Sequence, residues 1–393
     1  MNNWKKVTLN DIGKIVTGKT PKTKNTEFWN GGIPFVTPAD LQKSKHIFST
    51  ERTVSHIGLN SVKGATLPAG AVCVSCIGNL GYTALTTQKS VSNQQINSII
   101  PNSDFDNDFV YYLMKSLWDE FKNLEGQSTT LSILNKTLFS KIEVLVPEKV
   151  TQQRIAQLLS SLDDKIELNA QINHNLEEQA KALYDQIWDN YDSGTWSSAK
   201  AEDLFDISIG KTPPRKESQW FSENDNDIVW VSIADMGQSG CFISNSSEYL
   251  TPDAVSKFNV KRVPAGAILL SFKLTVGRVA ITGCELTTNE AIAHFRMEDS
   301  TIREYLYFYL KHFNYQTMGS TSSIATAVNS KMVKAMRIDI PARETLENFH
   351  STVFPMFEQI EQNQQEIQTL AQLRDTLLPK LMSGELDVSE VEV

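Results

Sequence analysis

The chain has 393 residues, enough for two or three domains, with 40% hydrophobic residues and a net charge of −9. No apolar run reaches the length of a membrane span, and Met1-Asn2-Asn3-Trp4-Lys5-Lys6 lacks the apolar core of a signal peptide, so a cytoplasmic chain is expected. The excess acid lies on two helical stretches and the tail, which leaves the globular parts near neutral and does not exclude a nucleic-acid partner.

The first globular part, residues 1–148, opens with Asp11-Ile12-Gly13-Lys14-Ile15-Val16-Thr17-Gly18-Lys19-Thr20-Pro21. Gly13 to Thr20 fits G-x-x-x-x-G-K-[ST], the phosphate-cradling pattern, which has that meaning only between a strand and a helix. Pro21 and the polar Lys22-Thr23-Lys24-Asn25 follow, with no helical period, so a turn is expected rather than a nucleotide site. Glycine permits close backbone approach and proline directs the exit. Lys19, Lys22 and Lys24, with Thr20 beside them, suit phosphate contacts. Strands are predicted over Ile33 to Val36, Ala71 to Ile77, Ile96 to Ile100 and Ile142 to Val146, and one helix over Asp108 to Leu124. The loops around Asn79 and around Ser128-Thr129 are candidates to reach base edges. Cys73 and Cys76 form a lone C-x-x-C without the second pair or nearby histidines that zinc would want. With Cys241 and Cys284 they read as structural thiols of a reducing compartment, and no metal is expected.

Residues 149–190 carry a heptad seam: Ile155, Leu159, Leu162, Ile166, Asn169, Asn173, Leu176, Ala180, Leu183, Ile187. From Thr151 to about Trp188 there is no proline or glycine, and such a helix is roughly 57 Å long at about 1.5 Å per residue. Asp163-Asp164 and Glu177-Glu178 lie off the seam and read as a solvated face.

Residues 191–341 repeat the first part at an offset of about 194 residues. Gly210-Lys211-Thr212-Pro213 answers to Gly18-Lys19-Thr20-Pro21, but Phe205 stands where Gly13 stood, so what recurs is the turn and not the phosphate loop. Lys211, Thr212, Arg215 and Lys216 are its candidate contacts. The Lys273–Arg278 loop and the 319–323 loop, with Ser320 and Thr321, answer to the Asn79 and Ser128 loops. Strands are expected at Ile228 to Ser232, Ala267 to Phe272, Ile292 to Met297 and Met336 to Ile340, and a helix at Ile302 to Phe313. Asn135 answers to Asn329 and Pro147 to Pro341.

Residues 342–393 repeat the seam in the same phase: Phe349, Val353, Met356, Ile360, Asn363, Ile367, Leu370, Arg374, Leu377, Leu381. A buried Asn in such a seam costs stability and selects register, and here Asn169 and Asn363 occupy one repeat position. The two long helices are therefore expected to pair with each other. The plan is α+β, helix, α+β, helix.

With these stretches in hand, the chain resembles the specificity subunits of type I restriction–modification enzymes. The likeness is carried by Gly18-Lys19-Thr20-Pro21 through Phe28-Trp29-Asn30-Gly31 to Ile33-Pro34-Phe35-Val36-Thr37-Pro38-Ala39-Asp40-Leu41. It continues in Pro147 with Gln152-Gln153-Arg154-Ile155, in Gly210 to Asp235, and in Leu377-Leu378-Pro379-Lys380-Leu381-Met382-Ser383-Gly384-Glu385-Leu386. Glu347-Asn348-Phe349-His350 departs from the Gln-Gln-Arg-Ile pattern, and Pro355 is expected to kink or delay the second helix. The resemblance implies an α+β fold of two similar target-recognition domains joined by two long antiparallel coiled-coil helices, an internal pseudo-twofold repeat. It implies that each domain reads one half of a split double-stranded DNA site. The helices would set the spacer and dock two modification subunits. S-adenosylmethionine, ATP and Mg would belong to those and to a restriction and translocation subunit, with no catalysis and no cofactor in this chain. A P-loop nucleotide-binding protein, or a coiled-coil scaffold without DNA, is the alternative.

Overall fold

The computed structural model describes residues 4–126, 133–190, 194–318 and 328–388. The chain divides into two compact units, residues 1–167 with 369–393, and residues 168–368. Each unit combines one globular part with half of each long helix.

In the first unit a five-stranded sheet orders Gly13–Thr17, Ile96–Pro101, Val72–Ser75, Thr83–Thr86 and His46–Ile47. The second unit repeats that order with Asp206–Ile209, Ile292–Arg296, Ile268–Ser271, Val279–Thr282 and Phe242–Ile243. The repeat extends to polarity: the first four strands are antiparallel neighbours and the last is parallel in both units. Side-chain clasps recur as well. Thr86 Oγ1 donates to the Pro68 carbonyl and Thr282 Oγ1 to the Pro264 carbonyl, both at 2.7 Å. Asn135 caps Lys136–Ser140 and Asn329 caps Ser330–Ala335, each side chain accepting from free N–H groups of the first turn.

Gly13–Thr17 is a strand, paired residue for residue with Asn97 to Pro101. The segment that a phosphate-cradling loop would occupy is committed to a sheet ladder, so the P-loop pattern is coincidental. The helix predicted from Asp108 to Leu124 is two helices, Asn107–Ser116 and Trp118–Gly126. Leu117 leaves the helical region at ψ 8°, and Trp118 turns onto Tyr82, with ring centroids 5.2 Å apart. The predicted copy at Ile302 to Phe313 is one helix, Arg303–His312.

The long helices span Lys149–Asp189 and Arg343–Met382. In the first unit Ile155 and Leu159 share a core with Leu378 and Leu381; in the second, Ala180 shares one with Phe349, Val353 and Ile360. Each fully buried side chain of this kind contributes about 1.5–3 kcal/mol. The pairing is antiparallel: in the second unit Asn169 meets Glu366 and Asn173 meets Asn363. The seam positions Leu162, Ile166, Leu176, Met356, Ile367 and Leu370 are half-buried. The buried stripe is wider than the heptad seam near the globular parts, where Ala156, Tyr184 and Phe357 are also enclosed. There each half-helix packs on a domain helix as well as on its partner, as Phe357 does on Tyr307 and Phe308.

Pro355 does not interrupt its helix; it and Ser351, the residue that loses an N–H partner, are both exposed. The departure at Glu347–His350 is also absorbed. In the first copy buried Gln152 ties the helix start to the Pro147 carbonyl and the Asp106 N–H; in the second, buried Leu346 packs there and His350 reaches Glu304. The C-terminal helix ends where Gly384 adopts φ +72° and Leu386 N–H closes on the Lys380 carbonyl at 3.1 Å. Any side chain at 384 would also press on the Trp4 ring, at 3.0 Å.

Two carboxylates read as solvated are enclosed. Asp163 pairs with Arg374 at 2.7 Å and accepts from Tyr112 at 2.7 Å, and Glu177 accepts from Tyr307 at 2.8 Å and from Lys311. They sit one position from the seam and face the domain helix. Their neighbours Asp164 and Glu178 are exposed as expected.

Candidate nucleic-acid interface

Antiparallel pairing decides which loops meet. Thr17 lies opposite Asn97 and Ser75 opposite Ile96, so the turn after Thr17, the loop after Ser75 and the loop before Ile96 emerge at one end of the sheet. Ile209 opposite Ala293 and Ser271 opposite Ile292 repeat this in the second unit.

At that end the Gly-Lys-Thr-Pro turn is locked to an asparagine loop. Lys19 N–H donates to the Ser92 carbonyl at 2.8 Å and Lys211 N–H to the Thr288 carbonyl at 2.9 Å. A Cβ on Gly18 would fall 1.9 Å from the Asn93 carbonyl oxygen, and one on Gly210 would fall 2.0 Å from Thr288 Oγ1. This crowding, not a phosphate, is why the turn keeps its glycine. Thr20 Oγ1 donates to Gln94 Oε1 at 2.6 Å, and Thr212 Oγ1 to Glu290 Oε2. The Thr212 hydroxyl, with Lys273 and Arg215 beyond it, holds the Glu290 carboxyl below its ordinary range.

The candidate cations divide. Lys19, Lys22, Lys24, Lys216 and Lys273 are exposed. Lys211 is exposed but its ammonium donates to the Phe258 carbonyl at 2.6 Å. Arg215 is engaged: it forms a bidentate pair with Glu248 at 2.7 and 2.8 Å and lies over Phe221 and Trp230. Arg278 is half-buried and donates to the Ile233 carbonyl, closing the end of Ile233–Met236. Its sequence position on a loop concealed that structural task. Asn79 is exposed, and its carbonyl accepts from Ser75 Oγ at 2.7 Å. Ser128, Thr129, Ser320 and Thr321 lie outside the described residues.

Two features escaped sequence reading. Arg52 lies 3.9 Å from the Trp29 ring centroid, and Gln94 and Glu290 sit beside the repeated threonines. Arg52 and Glu248 occupy one repeat position, with their carbonyls accepting from Phe35 and Trp230 N–H. The first unit thus presents an arginine where the second presents the acid that holds Arg215. Aligning the two copies around Asn93 and Asn289 would have exposed the Gln94–Glu290 exchange; the Arg52 stacking depends on strand register.

Cys73 and Cys76 are buried, and burial pushes both thiols up to about 12. Ser98 Oγ lies 3.4 Å from Cys73 Sγ. Among the described residues no group of histidine, cysteine and carboxylate side chains is arranged to hold a metal ion.

Two copies of one α+β unit, sharing a frame but differing in exposed polar groups, define a duplicated recognition-domain protein on paired helices. The chain belongs to the type I restriction modification DNA specificity domain family, whose model matches residues 1–178 and 193–372. It is 28% identical to the type I restriction enzyme MjaIX specificity subunit of Methanocaldococcus jannaschii, across 99% of this chain and 95% of that protein. It is 34% identical to the HindI specificity subunit of Haemophilus influenzae, over 44% of this chain and 39% of that one. The fold resembles the crystal structure of a type I restriction–modification S subunit from M. genitalium, with a TM-score of 0.61 and 14% identity, covering 97% of this chain and 96% of that one.

Proposed function

We propose that this chain reads a two-part, asymmetric double-stranded DNA sequence, one half with each unit, on behalf of modification subunits docked on its helices. One observation carries the reading. The Gly-Lys-Thr-Pro turn is clamped to the Asn93 and Asn289 loops by the same bonds in both units, while the groups around it differ. Lys19 and Lys211 are common to both turns; Lys22, Lys24, Arg52 and Gln94 accompany it in one unit, and Lys216, Glu290 and the Arg215–Glu248 pair in the other. One frame with two faces suits two different half-sites, and phosphate contacts from the lysines would position each.

On this reading the chain has no catalytic step and no cofactor of its own. S-adenosylmethionine is the methyl donor of two docked modification subunits, and ATP with Mg serves a restriction and translocation subunit. The complex works in the cytoplasm. With near-neutral readers and acidic helices, the isolated chain binds DNA weakly and gains specificity with its partners.

Mapping methylated sites in a host carrying this chain and its modification subunit tests the reading: a bipartite motif is expected, its halves about one turn, roughly 10 base pairs, apart. Four residues inserted between Leu168 and Leu176, with the partner helix extended to match, add about 6 Å. At about 3.4 Å per base pair the spacer should grow by one or two base pairs with both half-sites unchanged. A two-residue insertion turns the seam by about 200° and should abolish assembly. An active complex with a rewritten half-site or an unaltered spacer overturns the ruler.

A further inference from the structure

The loop beyond Ser271 repeats the loop beyond Ser75 closely. Ser75 Oγ donates to the Asn79 carbonyl at 2.7 Å and accepts from Tyr82 N–H at 2.9 Å; Ser271 Oγ donates to the Thr275 carbonyl at 2.6 Å and accepts from Arg278 N–H at 3.0 Å. Gly81 and Gly277 N–H close on the Ser75 and Ser271 carbonyls at 3.0 and 2.9 Å. At the bend the first loop has Gly78 at φ +79°, and a side chain there would meet nothing. The second loop has Leu274 at φ +60°.

Leucine is the wrong residue for this bend on two independent grounds. The left-handed backbone disfavours any side chain, and the first unit shows that glycine closes the same loop. The side chain is 97% exposed; Phe48, the next most exposed large hydrophobic residue among those described, is at 63%. Among the described residues nothing packs on the Leu274 side chain, which leaves it open to a partner. The tip adjoins exposed Lys273, and the loop leaves the same sheet end as the Gly-Lys-Thr-Pro turn. Lys273 and Arg215 both act electrostatically on Glu290, which places tip and turn on one face.

We propose that Leu274 is an apolar reading tip that enters a groove of the DNA duplex, against a thymine methyl or between base steps, while Lys273 meets the adjoining phosphate. The inference rests on the DNA-reading function above. It confines an apolar contact to the half-site read by the second unit, since Gly78 offers none.

The test uses the full complex with modification subunits and a duplex carrying the sequence methylated by the wild-type complex. Leu274→Ala and Leu274→Gly should raise Kd roughly ten- to hundredfold. They should leave the slope of log K against log salt unchanged, because an apolar contact releases no counterions, whereas Lys273→Ala should lower it by about 0.9. Site mapping should show degeneracy in one half-site only. The Gly variant should melt at or above the wild-type temperature, a result that a structural leucine would not give. Unchanged binding, a lowered melting temperature in the Gly variant, or loss of modification subunits before DNA is added would each overturn the proposal, the last by assigning Leu274 to a protein interface. A wild-type complex that methylates no bipartite sequence sinks the DNA-reading function itself; wild-type methylation matched by both variants sinks the tip alone.

Discussion

The side-chain amide of Asn363 donates to Asn173 Oδ1 at 2.8 Å, across the seam between the two long helices. Asn169, at the repeat position of Asn363, donates instead to Glu366 Oε2 at 2.7 Å. Asn169 and Asn363 are both buried, so the register device has two unlike halves. Antiparallel packing brings each asparagine opposite a different neighbour, and the repeat symmetry is broken at its centre. Asn169→Leu should raise the melting temperature, since a buried asparagine in such a seam costs stability relative to an apolar side chain. It should also loosen register, read as lower yield of the cross-link between cysteines placed at 173 and 363. A melting temperature that falls shows that the asparagine stabilises the seam outright.

The Asp163–Arg374 pair with Tyr112, and Glu177 with Tyr307 and Lys311, anchor each half-helix to its domain. Burial pushes the Glu177 carboxyl up, but Lys311 and Tyr307 outweigh it and hold it below the ordinary value. Asp163→Ala removes the acceptor of the Tyr112 phenol and leaves Arg374 with exposed Asp375 alone, and should destabilise by about 1–3 kcal/mol. Asp164→Ala, on the exposed side, should stay within about 0.5 kcal/mol. Equal effects in thermal melts would return both carboxylates to solvent.

His294 joins Ser208 Oγ at 3.0 Å and Thr288 Oγ1 at 2.7 Å inside the second sheet. Burial lowers its pKa to about 3, with Arg296 adding to the effect. The unfolded chain takes up a proton near pH 6.5 that the folded chain refuses until about pH 3. Stability from this site is therefore complete above pH 6.5 and declines below it, by up to about 1.4 kcal/mol per pH unit. His294→Gln should flatten that part of the curve for residues 168–368, followed by melting between pH 7 and 5. An unaltered pH dependence places the proton elsewhere.

Lys19→Ala with Lys22→Ala should weaken binding of the complex to every sequence alike and lower its salt slope by about 1.8, at about 0.9 per phosphate contact. Neither half-site of the methylated motif should change. A shifted motif would make these lysines base readers.

The sequence by itself determined the duplication, the strands that recur at near-constant spacing, and the pairing of two long helices. Those features rest on periodicity and on local turn chemistry, which a single chain displays: the Leu159 and Leu381 seams, the Asn135 and Asn329 caps, the recurring Gly-Lys-Thr-Pro turn. Tertiary structure alone decided which side chains are spent on the fold and which remain to meet a partner. Arg215 and Arg278 read as free cations until Glu248 and the Ile233 carbonyl are seen beside them, and Asp163 reads as solvated until Arg374 and Tyr112 enclose it. Leu274 shows the converse: its loop promised polar contacts, and only the backbone angle and exposure single out the leucine. Such partners lie tens to hundreds of residues apart, brought together by strand register and helix packing, and no local pattern encodes which of them will meet.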